Sequence, residues 1–318
     1  MNKDIKNITV LGAGTMGHGI AHVFSRFGYQ VNLYEPFDQV RESAMDKIKA
    51  ELSFMVEEEY ITADEMEKAM ADISLFSDLS EAAKDADYVI EACPENLDLK
   101  KDLFRQLDEI CQPHTILSSN TSSLKLNDMI YHLPEDRQRK CMICHWYNPP
   151  YLIPIVELSK YGNMDEDTFN QVYNLYESCE KEPVRVLKDV TGMIANRLLH
   201  AQAREAFYLI DQGIASAEDV DRALMAGPAF RNATTGMLEC ADLGGLDIWC
   251  AAETNFFPDL CNDDKPSESM RKLVADGHFG IKTGKGFFEY PPEKQEEIQQ
   301  AFNRRLITQL KASRNYKK

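Results

Sequence analysis

The stretch Ile8-Thr9-Val10-Leu11-Gly12-Ala13-Gly14-Thr15-Met16-Gly17 decides the fold of this chain. Four residues with strand character run into a G-x-G-x-x-G, and Gly17 opens a helical segment that reaches Phe27. A second apolar run, Val31-Asn32-Leu33-Tyr34, ends on an acid, Glu35. A glycine cluster alone is a weak signal. Strand, turn, helix, strand and acid in that order make a dinucleotide-binding fingerprint. Gly12 permits the tight turn, Gly14 lets the backbone approach a pyrophosphate, and Gly17 lets helix and strand pack closely. Thr15 and Met16 complete the cofactor loop, and the helix N-terminus offers unpaired N–H groups to the phosphates. Glu35 is expected to accept from the adenosine ribose hydroxyls and to repel a 2′-phosphate. Pro36-Phe37-Asp38 supplies no replacement cation, so NAD is expected over NADP. A flavin is the alternative on the same fingerprint.

Around this stretch, apolar runs alternate with helical patterns. Further strand candidates are residues 88–92, 115–118, 142–144, 153–158 and 184–187. Strands separated by helices predict βαβ units and a mostly parallel sheet. Beyond Thr191 the strand signal fades. Residues 193–212 read as one helix closed by Gly213. Ser216-Ala217-Glu218-Asp219 resembles a capping box that opens another helix, ending at Gly227. A turn-rich stretch, 279–286, precedes a polar helix opened by Pro291-Pro292. The expected fold is α/β: a Rossmann-type, mostly parallel sheet over residues 1–188, then an all-helical C-terminal domain over residues 189–318.

The 318 residues suit two domains, and 44% hydrophobic with 27% charged residues is the balance of an ordinary globular protein. No stretch approaches the roughly 18 apolar residues of a membrane helix. The N-terminal run Met1 to Asn7 lacks the apolar core of a secretory signal, so a cytoplasmic location is expected. A net charge of −17 argues against nucleic acid and anionic membranes as partners. Of eight cysteines only Cys141 and Cys144 form a close pair. A zinc site needs a second pair, so these read as reduced core thiols and no metal is expected.

Four more segments carry chemistry: Ser119-Asn120-Thr121-Ser122-Ser123, His145-Trp146-Tyr147-Asn148-Pro149-Pro150, Val156-Glu157-Leu158, and Thr191-Gly192-Met193-Ile194-Ala195-Asn196-Arg197-Leu198. Each alone is ambiguous. In this order behind the glycine fingerprint, together with Pro94-Glu95-Asn96-Leu97-Asp98-Leu99-Lys100 and the late Phe279-to-Phe287 stretch, they resemble the 3-hydroxyacyl-CoA dehydrogenase family. The resemblance spans nearly the whole chain. It implies that His145 is the base that takes the hydroxyl proton, as an imidazole titrating near neutrality can. Glu157 would fix the tautomer of His145 and stabilise the imidazolium. Ser122 and Asn196 would bind the substrate oxygen. Asn120, Glu95 and Lys100 would lie near the nicotinamide ribose, and Asn148 would shape the His145 loop. The resemblance also implies a homodimer made by the helical domain.

One segment departs from the family. Its acyl-CoA enzymes carry serine and lysines on the helix after the second strand, where they hold the CoA nucleotide. The corresponding stretch here, Lys49 to Glu59, is acidic, and its Glu57-Glu58-Glu59 is expected to repel the CoA phosphates. Arg41, Lys47 and Lys49 remain upstream. The chain also resembles branches that do not use CoA: L-gulonate 3-dehydrogenase with its lens relative lambda-crystallin, carnitine dehydrogenase, and the dehydrogenase of a formyl-pyridine carboxylate. These share a small free carboxylate as substrate, for which Arg197 and Arg231 are the candidate cations. The expected activity is NAD-dependent oxidation of a small hydroxy-carboxylate. The alternatives are a short-chain 3-hydroxyacyl-CoA dehydrogenase and an inactive NAD-binding structural protein.

Overall fold

The computed structural model describes residues 5–160 and 164–316, so most of the N-terminal run before Asn7 lies outside it. The chain forms β1 (Asn7–Leu11), α1 (Gly17–Arg26), β2 (Gln30–Tyr34), α2 (Asp38–Glu57), α3 (Ala63–Ala71), β3 (Ile73–Phe76), α4 (Leu79–Ala83) and β4 (Tyr88–Glu91). It continues through α5 (Leu97–Ile110), β5 (Ile116–Ser119), α6 (Leu126–Ile130), α7 (Glu135–Gln138), β6 (Cys141–Trp146), β7 (Ile155–Ser159), α8 (Glu166–Ser178) and β8 (Glu182–Val186). The rest is helical: α9 (Ala195–Asp211), α10 (Ala217–Ala226), α11 (Pro228–Thr235), α12 (Met237–Gly244), α13 (Leu246–Phe256), α14 (Glu268–Ala275) and α15 (Gln295–Ser313).

The eight strands form one sheet in the order β3-β2-β1-β4-β5-β6-β7-β8, parallel throughout except at the β6–β7 pair. The mostly parallel sheet and the helical C-terminal part agree with the sequence reading. Strand β3 went unread. It is a four-residue edge strand with only Ile73 buried, too short and too exposed for an apolar run to mark it. The antiparallel step has a simple cause. Parallel neighbours need a crossover of about a dozen residues or more, and the segment 147–154 is too short for one.

Side chains alternate across the sheet and feed two cores. Ile8, Val10, Tyr88, Ile90, Met142 and Cys144 join the core shared with α1, α2 and α8. Leu11, Val89, Cys141 and Ile143 join the core on the α5 side. Cys141 and Cys144 therefore point to opposite faces, because an odd spacing on a strand does that. Both are free, buried thiols, and burial pushes both up in pKa, Cys144 to about 11.

Two compact units result. One contains the sheet up to Ile194 together with Leu306–Lys311 of α15; the other contains Ala195–Arg305 and the residues after Lys311. Ile307 of α15 is fully buried in the first core. In the second unit, α9, α11, α13 and α14 have no buried residue, and Leu238, Leu243, Phe230 and Phe256 are exposed on the single chain. Ser216 caps α10 through the Asp219 N–H, and Gly227 ends it. None of the described helices is long and apolar enough to cross a membrane.

The closest backbone approach lies at the first turn. A Cβ on Gly17 would stand 1.7 Å from the Gly12 carbonyl oxygen, a contact that only backbone movement relieves. Gly17→Ala is expected to destabilise the protein by at least about 3 kcal/mol. Urea denaturation of the variant beside the wild type measures this, and an unchanged midpoint refutes the packing account.

Candidate active and cofactor site

The loop between β1 and α1 is open where a ligand needs it and closed where the fold needs it. Gly12 has φ +92, and a Cβ there would stand 3.0 Å from the Ala92 carbonyl oxygen. Gly14 is the opposite: a Cβ added there meets nothing within 4 Å. Thr15 is exposed, Met16 is half-buried, and α1 begins without a side-chain cap or an acid in its first turn. A helix start leaves N–H groups unpaired and carries the positive dipole end, the donor set a pyrophosphate requires. Glu35 is buried; its Oε2 accepts from Ala13 N–H at 3.0 Å and its Oε1 from Phe37 N–H at 3.1 Å. A carboxylate has about four lone-pair sites, so these two bonds leave room for ribose hydroxyls. Arg41 donates to the Glu35 carbonyl at 2.9 Å and pairs with Asp38, so a cation does stand near Glu35, engaged by acceptors of its own chain. These residues fit a dinucleotide without a 2′-phosphate.

The antiparallel β6–β7 pair sets His145 directly opposite Glu157. His145 Nδ1 lies 3.0 Å from Glu157 Oε2, and His145 is almost wholly buried. Glu157 has no exposed surface, and its Oε1 accepts from Ile194 N–H at 2.8 Å. A carboxylate only accepts, so Nδ1 carries the proton, and a neutral ring then has its lone pair on Nε2. The Tyr147 ring lies 5.1 Å from His145; burial and the Glu157 charge push its phenol up to about 12. Asn120 leaves β5 and accepts from Trp146 N–H at 2.7 Å through its side-chain oxygen, which fixes the strand beside His145. Asn148 is exposed on the loop after β6.

The structure adds an acid that the sequence reading missed. Glu91 ends β4, is fully buried, and accepts from Lys100 Nζ at 2.7 and 2.8 Å, from Ser119 Oγ at 2.5 Å and from Cys93 N–H at 2.6 Å. Its only sequence signal is an acid at the end of an apolar strand with a lysine nine residues on. Lys100 is itself buried and also lies 3.3 Å from Glu95. Glu95 Oε1 takes Thr121 Oγ1–H at 2.5 Å and Ser123 Oγ–H at 2.8 Å. In this arrangement Lys100 and Glu95 hold the loop that carries Ser122, and Ser122 is exposed on that loop. Burial opposes the charge of Glu95, yet its bonds to Thr121 and Ser123 and the Lys100 ammonium bring its pKa below the usual carboxylate value.

Asn196 and Arg197 lie in the first turn of α9 and Arg231 on α11, all in the second unit. Asn196 follows two residues after Ile194, whose amide Glu157 holds. The acidic stretch of α2 divides in two. Glu51 Oε1 meets His18 Nε2 at 3.1 Å and its Oε2 meets His22 Nε2 at 3.0 Å, so its charge is answered inside the protein. Glu57 to Glu59 close the C-terminal end of this 20-residue helix, about 28 Å from its start beside Glu35. Lys311 of α15 donates to the Glu58 carbonyl there.

With this geometry in view, comparison with known proteins gives a consistent result. Residues 7–190 match the domain described as 3-hydroxyacyl-CoA dehydrogenase, NAD binding domain, and residues 192–290 match the C-terminal domain of the same enzymes. A 5-formyl-3-hydroxy-2-methylpyridine 4-carboxylate 5-dehydrogenase from Mesorhizobium japonicum is 32% identical over 306 residues, 95% of this chain and 96% of the relative. A probable 3-hydroxybutyryl-CoA dehydrogenase from Bacillus subtilis is 35% identical over 289 residues, 90% of this chain and 98% of the relative. A crystal structure of a dehydrogenase of the same pyridine carboxylate, described as an NAD+ dependent dismutase, superimposes with a TM-score of 0.87 at 30% identity and covers 98% of each chain.

Glu51 also gives the site an acid dependence. Burial opposes its charge, but the bonds and charges of His18 and His22 lower its pKa from 4.5 to about 2. A carboxylate depressed on folding stabilises above its unfolded pKa and loses that stability as pH falls through the folded value. Glu51→Gln is therefore expected to cost on the order of 2 kcal/mol at neutral pH. The gap from wild type closes as pH drops from 4.5 towards 2. Urea midpoints across that range measure it, and a gap independent of pH refutes it.

Proposed function

The chain belongs to the 3-hydroxyacyl-CoA dehydrogenase family, and from that premise we propose that it oxidises a secondary hydroxyl of a small carboxylate that carries no CoA. It is an NAD-dependent oxidoreductase acting on a CH–OH group. The observation that carries the choice of substrate is the likeness to the pyridine-carboxylate dehydrogenase, with a TM-score of 0.87 over 98% of both chains. The family domains end at residue 290, whereas α15 runs Gln295–Ser313 and buries Ile307 in the first core. The pyridine-carboxylate dehydrogenase aligns over 98% of this chain and so reaches into α15, as does a 3-hydroxyacyl-CoA dehydrogenase from Archaeoglobus fulgidus that covers 96% of it. The Bacillus relative is 98% accounted for by 289 residues. Lys311 also seats α15 on the end of α2, the helix whose counterpart holds CoA in the acyl-CoA enzymes. The acyl-CoA reading is the second one, favoured by the 35% identity to the Bacillus relative.

In the proposed reaction His145 Nε2 takes the hydroxyl proton, and Glu157 stabilises the imidazolium through Nδ1. NAD, which the Gly12–Gly17 loop and Glu35 would hold, would supply the hydride acceptor. Ser122 and Asn196 donate to the substrate oxygen as it becomes a ketone. Glu95 and Lys100 keep the Ser122 loop in place, and Asn120 keeps β6 in register. Arg197 or Arg231 pairs with the substrate carboxylate. The exposed apolar side chains of the second unit support a homodimer built on that unit, since monomers rarely leave large apolar patches open.

Formation of NADH is the test, with free hydroxy acids (gulonate, carnitine, 3-hydroxybutyrate, hydroxylated pyridine carboxylates) set against short 3-hydroxyacyl-CoAs. Turnover of a free acid is expected, falling at least about 100-fold in His145→Ala. Turnover of the CoA esters alone overturns the substrate, and undiminished turnover in the variant overturns the base. Sedimentation equilibrium should give twice the 36.2 kDa chain mass; a monomer at micromolar concentration rejects the dimer.

A further inference from the structure

His18 stands in the first turn of α1, behind the second glycine of the cofactor loop. Its Nδ1 lies 2.5 Å from the Gly14 carbonyl oxygen and its Nε2 3.1 Å from Glu51 Oε1. A carbonyl and an ionised carboxylate only accept. A neutral imidazole has a single N–H and satisfies one of them, whereas the imidazolium satisfies both. We propose that His18 is held as a cation behind the pyrophosphate loop and is a cofactor-positioning residue, so that dinucleotide affinity falls as His18 loses its proton.

The surroundings fit that assignment. Glu51 is shared with His22, which is fully buried and whose Nδ1 has no partner among the described atoms. A ring with one acceptor and one unmatched nitrogen stays neutral, and burial pushes the pKa of His22 down. His18 is also burdened by burial, but the Glu51 bond and charge and the Gly14 carbonyl raise its pKa above the ordinary histidine value. From α2, Lys47 opposes the charge and Glu51 supports it; from α1, His22 shares the carboxylate and Arg26 opposes a charge on His22. From the loop after β6, Tyr151 lies 5.2 Å from His22, and burial and Glu51 keep its phenol protonated.

A cation in the first turn of a helix opposes the helix dipole. Such a placement is favourable once an anion docks at the same terminus, and there His18 adds its charge to the N–H groups. The hydrogen bond to Gly14 also fixes the carbonyl of the glycine whose open side faces the ligand.

ADP-ribose separates this effect from the base, because it keeps the pyrophosphate and lacks the nicotinamide. Calorimetric titration from about pH 6 to about pH 9 should show its affinity falling roughly tenfold in the wild type. His18→Asn retains a donor for Gly14 without the charge, and should bind at the weaker level with a flat profile. Ring NMR of the apoprotein should show His18 titrating above 6.5 and rising further with ADP-ribose; Glu51→Gln should lower that midpoint. A wild-type affinity that is flat or rises with pH overturns the proposal, as does His18→Asn keeping the wild-type profile. If that variant does not fold, the wild-type ring titration decides: a His18 midpoint at or below 6.5 overturns it.

Discussion

A carboxylate shut away from water keeps its charge only if each oxygen is matched by a donor. Glu157 is in that position, and donors reach it from different parts of the chain: the ring of His145 on one side, the amide of Ile194 on the other. The same carboxylate thus orients the base and anchors the turn from which α9 departs. That turn needs Gly192 at φ +79 and Met193 at φ +48, a costly backbone for a side-chain-bearing residue. Burial of Met193 in the α5-side core and the bond from the next amide to Glu157 hold it there.

Three other acids follow the same rule. Glu35, next after β2, accepts from the Ala13 and Phe37 N–H groups, Glu91 at the end of β4 accepts from the Cys93 N–H, and the partly exposed Glu51 is closed by two imidazoles. A chain with net charge −17 places several carboxylates inside, and each acts there as a fastening for a loop. The loops so fastened carry the glycines, Ser122 and the start of α9. The rigidity of the site comes from matched charge as much as from apolar packing.

What the sequence made legible follows from this division. The glycine fingerprint was readable because Gly12 has a positive φ of +92 and Gly17 has a backbone neighbour at a distance that no Cβ tolerates. The central strands were readable because both of their faces are buried and each makes a continuous apolar run. Strand β3 was not, since an edge strand with one covered face is barely apolar. His145 and Glu157 were found as a pair through the family resemblance, though not as cross-strand neighbours. Glu91 escaped notice because its meaning lies in Ser119 and Lys100, brought to it only by the fold. Charge counted along a sequence likewise does not reveal that Glu51 is paired with His18 and His22.

The inclusion of Leu306–Lys311 in the first unit has a consequence for the order in which this protein is made. Ile307 completes a core whose other members are translated much earlier, and the 111 residues of Ala195–Arg305 stand between. At about 5 to 20 residues per second the ribosome needs roughly 6 to 20 seconds to cross that interval. For that time the cofactor half of the nascent chain carries an uncovered apolar surface beside α1 and α2. The last helix is thus a late seal, and a chain that stops short of it is left as a client for chaperones.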